Sequence, residues 1–136
     1  MNVRDCELAE AELAIALWED CGLTRPWNDT RVDFRQALES PASTVLGGFH
    51  DGLLIASVMV GFDGHRGWVY YLAVDPAHRR RGLGTQMMTG AETWLRQLGA
   101  RKLQFMVRGE NASSLRFYET LGFEQQAVIT LGRFLA

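Results

Sequence analysis

The chain has 136 residues, of which 47% are hydrophobic, enough for one domain with a real core. Its 14 basic and 16 acidic side chains leave a formal charge of -2, which argues against a general nucleic-acid binder, since those carry a basic excess. Cys6 and Cys21 match no zinc spacing, and the longest apolar run, LLIASVMVGF over 53–62, is about half a membrane span. No basic-apolar-small leader opens the sequence. The expectation is therefore a cytoplasmic protein with two reduced thiols, no metal, and neither membrane nor nucleic-acid partner.

Met1–Arg4 reads as a short first strand. From about Glu10 to Cys21, Leu13, Leu17, Trp18 and Cys21 fall at helical spacing, with Gly22 as a stop. TRPWND makes a polar connection to a second helix, which Thr30 is expected to cap and which buries Phe34, Ala37 and Leu38. STVLGGF and LLIASVMVGF then form a hairpin turning at Asp51-Gly52, and DGHRG makes a second turn. WVYYLAV, 68–74, is apolar on both faces and reads as a central strand, with Tyr70 and Tyr71 pointing to opposite faces. Leu83, Met87, Met88, Ala91, Trp94, Leu95 and Leu98 mark a third helix ended by Gly99. KLQFMV follows as a strand, Asn111 caps a fourth helix ended by Gly122, and AVITLGRFL closes the chain as a strand. The order predicts a mixed α/β sandwich spanning residues 1–136 as one domain.

Between the strand and the third helix stands DPAHRRRGLGT. Arg79, Gly82 and Gly84 make R-x-x-G-x-G, a weak string by itself, because thirteen of the fourteen cationic residues are arginine. Its setting is more informative. The first turn of a helix leaves backbone N–H groups unpaired at the positive end of the macrodipole, and glycine lets a phosphate reach them. Main-chain amides of Arg80, Arg81, Gly82, Leu83, Gly84 and Thr85 can cradle a diphosphate, with the Arg79–Arg81 charges and the Thr85 hydroxyl beside them. The bland alternative is an exposed turn with an arginine run. GLGTQM lacks the third glycine of a dinucleotide fingerprint, and no Gly-Lys-Ser/Thr exists for a nucleotide P-loop.

VDPAHRRRGLGTQMM resembles the acetyl-CoA pyrophosphate loop of the GNAT superfamily of N-acetyltransferases, Q/R-x-x-G-x-G/A. NASSLRFYETLGF resembles the second half of the same site. RPWND and GFDGHRGWVYYL are similar to the bacterial YpeA-like acetyltransferases. The resemblance covers essentially the whole chain. It implies the GNAT fold, with a mixed sheet of about six or seven strands flanked by four helices. It also implies direct acetyl transfer from acetyl-CoA to an amine in a ternary complex, and allows a homodimer. Backbone groups of Leu72, Ala73 and Val74 would pair with the pantetheine arm, and one of those amides would polarise the thioester carbonyl. Asn111 matches the asparagine that bonds the cofactor arm or the splayed strand; a helix N-cap is its other role. Tyr118 matches the tyrosine facing the departing sulfur, and a core tyrosine is its other reading. A non-catalytic acyl-CoA-binding module of the same fold is the main rival.

The acceptor side is less determined. A lysine-like amine must lose a proton before it attacks. Members that acetylate protein N-termini carry a glutamate five residues before the asparagine, where this chain has Met106. Asp63 and His65 in the DGHRG turn, Glu110 beside Asn111, and Tyr70 on the strand are the other groups near the expected cleft. Arg25 can anchor a carboxylate and Trp27 can pack on an acceptor, unless RPWND is a structural turn.

Overall fold

The computed structural model describes residues 1–108 and 111–135; Glu110 lies outside them. The chain divides into two compact units, Met1–Met106 and Val107–Ala136. In the first unit, β1 (Asn2–Asp5), α1 (Ala11–Asp20), α2 (Thr30–Glu39), β2 (Ser43–His50), β3 (Leu53–Phe62), β4 (Gly67–Val74), α3 (Leu83–Gln97) and β5 (Leu103–Gln104) follow in order. The second holds α4 (Ala112–Thr120). The sheet runs β1-β2-β3-β4-β5, antiparallel except for the β4–β5 pair.

Each element has a local cause. The hairpin turns at Asp51 (φ 49) and Gly52 (φ 79), the paired left-handed residues that a two-residue loop between right-twisted strands requires. α2 is capped by Asp29, not Thr30: its carboxylate accepts from the amides of Arg31 (3.1 Å) and Val32 (3.2 Å). The sheet separates two helical layers. α1 and α2 bury Ala14, Ile15, Leu17, Trp18, Phe34 and Ala37 against Val45, Phe49 and Ala73 on one face. On the other, α3 buries Leu83, Met87, Met88, Ala91 and Leu95. A Cβ at Gly67 would lie 2.5 Å from Leu95, so α3 sits closely on the start of β4. Cys6 and Cys21 are both free thiols, and burial pushes Cys6 up to about 12.

Two differences from the sequence reading concern strands. The sheet has five strands among the described residues, not six or seven. KLQFMV contributes only Leu103–Gln104, and AVITLGRFL forms no strand over its described residues. Val128, Ile129, Leu131, Phe134 and Leu135 all stand exposed. A β-prone pattern becomes a strand only with a ladder to join, and pattern alone supplies none. No helix among the described residues is long and apolar enough to cross a membrane.

Candidate functional site

The opening in the first unit lies beside β4. β5 pairs with β4 only at Gly67↔Leu103 and Trp68↔Gln104, so residues 69–74 continue past the last pairing. The edge of β4 on that side therefore has no ladder partner among the described residues and suits a ligand that lies like a strand, apart from the Val74 carbonyl, which accepts from Cys21 Sγ (3.3 Å) and Arg79 Nε (3.4 Å).

Which groups face that side is set by a bulge. Ser57 pairs with Ala73 and Met59 with Tyr70, so Val58 opposes both Tyr71 and Leu72. Tyr71 takes a left-handed conformation, φ 52, which costs a bulky residue about 1–2 kcal/mol. The amide of Gly67 donates to the carbonyl of Lys102, just before β5, whereas that of Asp75 donates to Ile55 on β3. In a regular strand, residues eight apart would face the same way. The extra residue reverses the later half, so Leu72 and Val74 turn their amides to the open side. Ala73, directly opposite Ser57, turns its own to β3, which corrects its expected place among the ligand-facing amides. The bulge also corrects the two tyrosines. Met59 and Tyr71 both pack against the α1–α2 core, and Tyr70, opposite Met59, shares that face.

A set of side chains holds the bulge. The Ser57 hydroxyl donates to the Tyr71 carbonyl (3.0 Å) and accepts from the Trp18 indole N–H (2.9 Å). Trp18 stacks on the Tyr71 ring, centroids 3.9 Å apart and planes at 12°. The Tyr71 phenol donates to Asp33 on α2 (2.7 Å); burial and that carboxylate hold its ionisation well above the usual tyrosine value.

β4 leads into the arginine-glycine loop. Asp75 caps a short 3₁₀ turn over Pro76–His78 by accepting from the Ala77 amide (2.8 Å). Arg80 (φ 66) and Gly82 (φ 73) are left-handed, flanking Arg81, and such alternation turns successive amides into an anion-binding concavity. Gly82 is the N-cap of α3, with no side-chain cap and no acidic residue in the first turn. The first helical donor is Gln86, to the Gly82 carbonyl (3.1 Å), so the amides of Leu83, Gly84 and Thr85 precede the ladder. A Cβ at Gly82 would meet nothing within 4 Å, so this approach is open. Arg79, Arg80, Arg81 and Thr85 are exposed and Leu83 is buried. The Arg79 Nε leans back on the Val74 carbonyl (3.4 Å), and Arg81 Nη1 lies 3.3 Å from His78 Nδ1.

The acceptor candidates separate. Asp63 is engaged in its turn, accepting from the amides of Arg66 (2.7 Å) and His65 (2.8 Å) and from the Trp68 indole (3.1 Å). These bonds, from Arg66 first, hold its carboxyl below the usual range, the wrong direction for a base near neutrality. His65 and Tyr70 are exposed, and burial, with Asp63 nearby, raises the Tyr70 phenol. Arg25 folds onto its own turn, donating to the carbonyls of Gly22 (2.9 Å) and Thr24 (2.8 Å), while Trp27 is exposed. The sequence reading missed Trp18, Ser57 and Asp33. Serine within an otherwise apolar strand was the available signal.

In the second unit, the Asn111 side chain accepts from the Ser114 amide (3.2 Å), so it is the N-cap of α4. Tyr118 is half-buried between Phe117 (5.2 Å) and Phe123 (6.3 Å), both edge-on. Burial pushes its phenol up to about 12.

An uncapped helix start, a nest of left-handed residues and a strand whose ladder is left open define an α/β protein suited to an extended ligand with a diphosphate at one end. Residues 10–123 match the acetyltransferase (GNAT) family, and the chain belongs to that family: it is an acetyltransferase. An acetyltransferase of Yersinia pestis (strain Pestoides F) is 39% identical over 135 residues, covering 99% of this chain and 96% of that protein. One from Pectobacterium atrosepticum is 38% identical over 135 residues, with the same coverage. Among solved structures, an aminoglycoside N-acetyltransferase AAC(6')-Iy in complex with CoA superposes with a TM-score of 0.84 at 19% identity, covering 99% of this chain and 95% of that one. That likeness is one of fold.

Proposed function

We propose that this chain, as a single domain, transfers an acetyl group from acetyl-CoA to a primary amine by direct attack. The family match runs through both compact units, which supports reading 1–136 as one domain. The observation that carries the donor assignment is the Arg80–Thr85 segment: two left-handed residues, an α3 start without a side-chain cap, and open space at Gly82. Together they fit a diphosphate better than they fit a solvated turn.

Each group then has a task. The loop amides and arginines hold the diphosphate. Leu72 and Val74 hold the pantetheine arm by their main chain, and one of their amides donates to the thioester oxygen as negative charge grows there. The ammonium first gives a proton to solvent; the neutral nitrogen then bonds to the carbonyl carbon, the carbon–sulfur bond breaks, and the second N–H proton, released as the amide forms, reaches the thiolate through solvent. Tyr118, protonated at neutral pH, donates a hydrogen bond to the departing sulfur. Asn111 fixes the start of the helix that carries it. The residues named for the acceptor remain Arg25, Trp27, His65 and Tyr70, with Asp63 shaping the turn.

Thiol release from acetyl-CoA, measured against a panel of polyamines, aminoglycosides, amino acids and peptides, tests this. Amine-dependent release is expected. CoA binding with no release for any amine would leave an acyl-CoA-binding module in its place.

A further inference from the structure

We propose that Ser57, held by Trp18, is a positioning residue for acyl transfer: it fixes which β4 amides face the opening. The inference rests on the acetyl-CoA reading above. A bulge removes one main-chain group from the ladder, and here the displaced group is the Tyr71 carbonyl, opposite Val58. That carbonyl meets the Ser57 hydroxyl at 3.0 Å, and Ser57 is fully buried. A partly buried carbonyl turned out of the ladder without a donor is unfavourable, so the hydroxyl stabilises the bulged register over a regular one.

The serine is itself held. Its oxygen accepts the indole N–H of Trp18, which is also fully buried, so the hydroxyl proton is directed at Tyr71 rather than elsewhere. Trp18 lies flat on the Tyr71 ring, and Asp33 accepts the phenol's hydrogen bond. Three elements, α1, α2 and β3, thus converge on one left-handed residue.

The consequence is a matter of parity. With the bulge, Leu72 and Val74 present their amides to the opening. In a regular strand continuing from Gly67, Tyr71 and Ala73 would present theirs, and Leu72 and Val74 would turn to β3. Ser57 touches no ligand in either case. It acts by selecting between two alternating sets of donors.

Calorimetry on the full chain with two probes isolates this role. CoA reaches both the loop and β4; phosphoadenosine diphosphate, which is CoA without its pantetheine arm, reaches only the loop. In Ser57→Ala, CoA is expected to bind about tenfold more weakly, with phosphoadenosine diphosphate unchanged. Trp18→Phe keeps the stacked ring, loses the N–H, and should shift the same ratio in the same direction. Ser57→Thr, which restores a hydroxyl, should recover part of the CoA affinity. Should Ser57→Ala not fold, Trp18→Phe carries the comparison. Equal losses for both probes would mean a merely structural role, and no loss for either would also overturn the proposal. If the unaltered protein bound neither probe, the donor reading itself would fail.

Discussion

Tyr118 is buried enough that its phenol ionises near 12, while a CoA thiol resembles cysteine, about 8.5. Full proton transfer to the thiolate would be about 5 kcal/mol uphill, so donation of a hydrogen bond is the better description. Tyr118→Phe should therefore lower turnover about tenfold to hundredfold while leaving CoA affinity intact, as steady-state kinetics and calorimetry can show. Wild-type turnover in that variant would remove the role. Asp63 gives a pH-dependent prediction. Its folded-state value is lowered by the Arg66 and His65 amides and the Trp68 indole. A depressed carboxyl contributes stability above its unfolded value of about 3.9 and loses it as pH falls through the folded one. Urea midpoints followed downward from neutral pH should drop less steeply in Asp63→Asn. Identical acid limbs would mean that the turn contributes nothing to stability.

At the scale of elements, the loop and helix α3 carry the account. Gly82 is the N-cap of α3 at φ 73, where a side chain has room but would strain the backbone. Gly82→Ala should destabilise by about 1 kcal/mol through that strain and weaken CoA binding, because a Cβ would stand among the amides. Thermal unfolding with and without CoA separates the two effects. An unchanged affinity would move the diphosphate away from this helix start. Much of this was legible in the sequence. Arg-x-x-Gly-x-Gly after an apolar strand and before an amphipathic helix placed the loop, and Asn111 announced its cap. Two things were not legible. The helix α2 cap fell one residue earlier, since Asp29 and Thr30 are both capping types and only the backbone geometry decides between them. The β4 bulge was invisible because WVYYLAV has no glycine to mark it. Tyr71 is held left-handed by Trp18, Ser57 and Asp33, contacts between residues distant in sequence.

For the whole molecule, the same contrast holds. Alternating order, apolar periodicity and the two motifs were enough for the fold class and the family, because each depends on short-range pattern. Strand number was not, since Val128, Ile129 and Leu131 read as a strand while standing exposed. The acceptor also stayed open. Arg25 folds onto its own turn, Asp63 is held by three donors, and the position expected of a glutamate base holds Met106. The near-neutral overall charge, -2, leaves the Arg79–Arg81 run as a local basic feature rather than part of a basic surface. Everything proposed for the reaction depends on a diphosphate meeting main-chain amides there. Amide spectra of the protein labelled with ¹⁵N-glycine, titrated with CoA, put that to the most direct test. The Gly82 and Gly84 signals should shift together and saturate, with Gly99, beyond the far end of α3, unmoved. Gly82 and Gly84 signals that stay in place at saturating CoA would contradict the account.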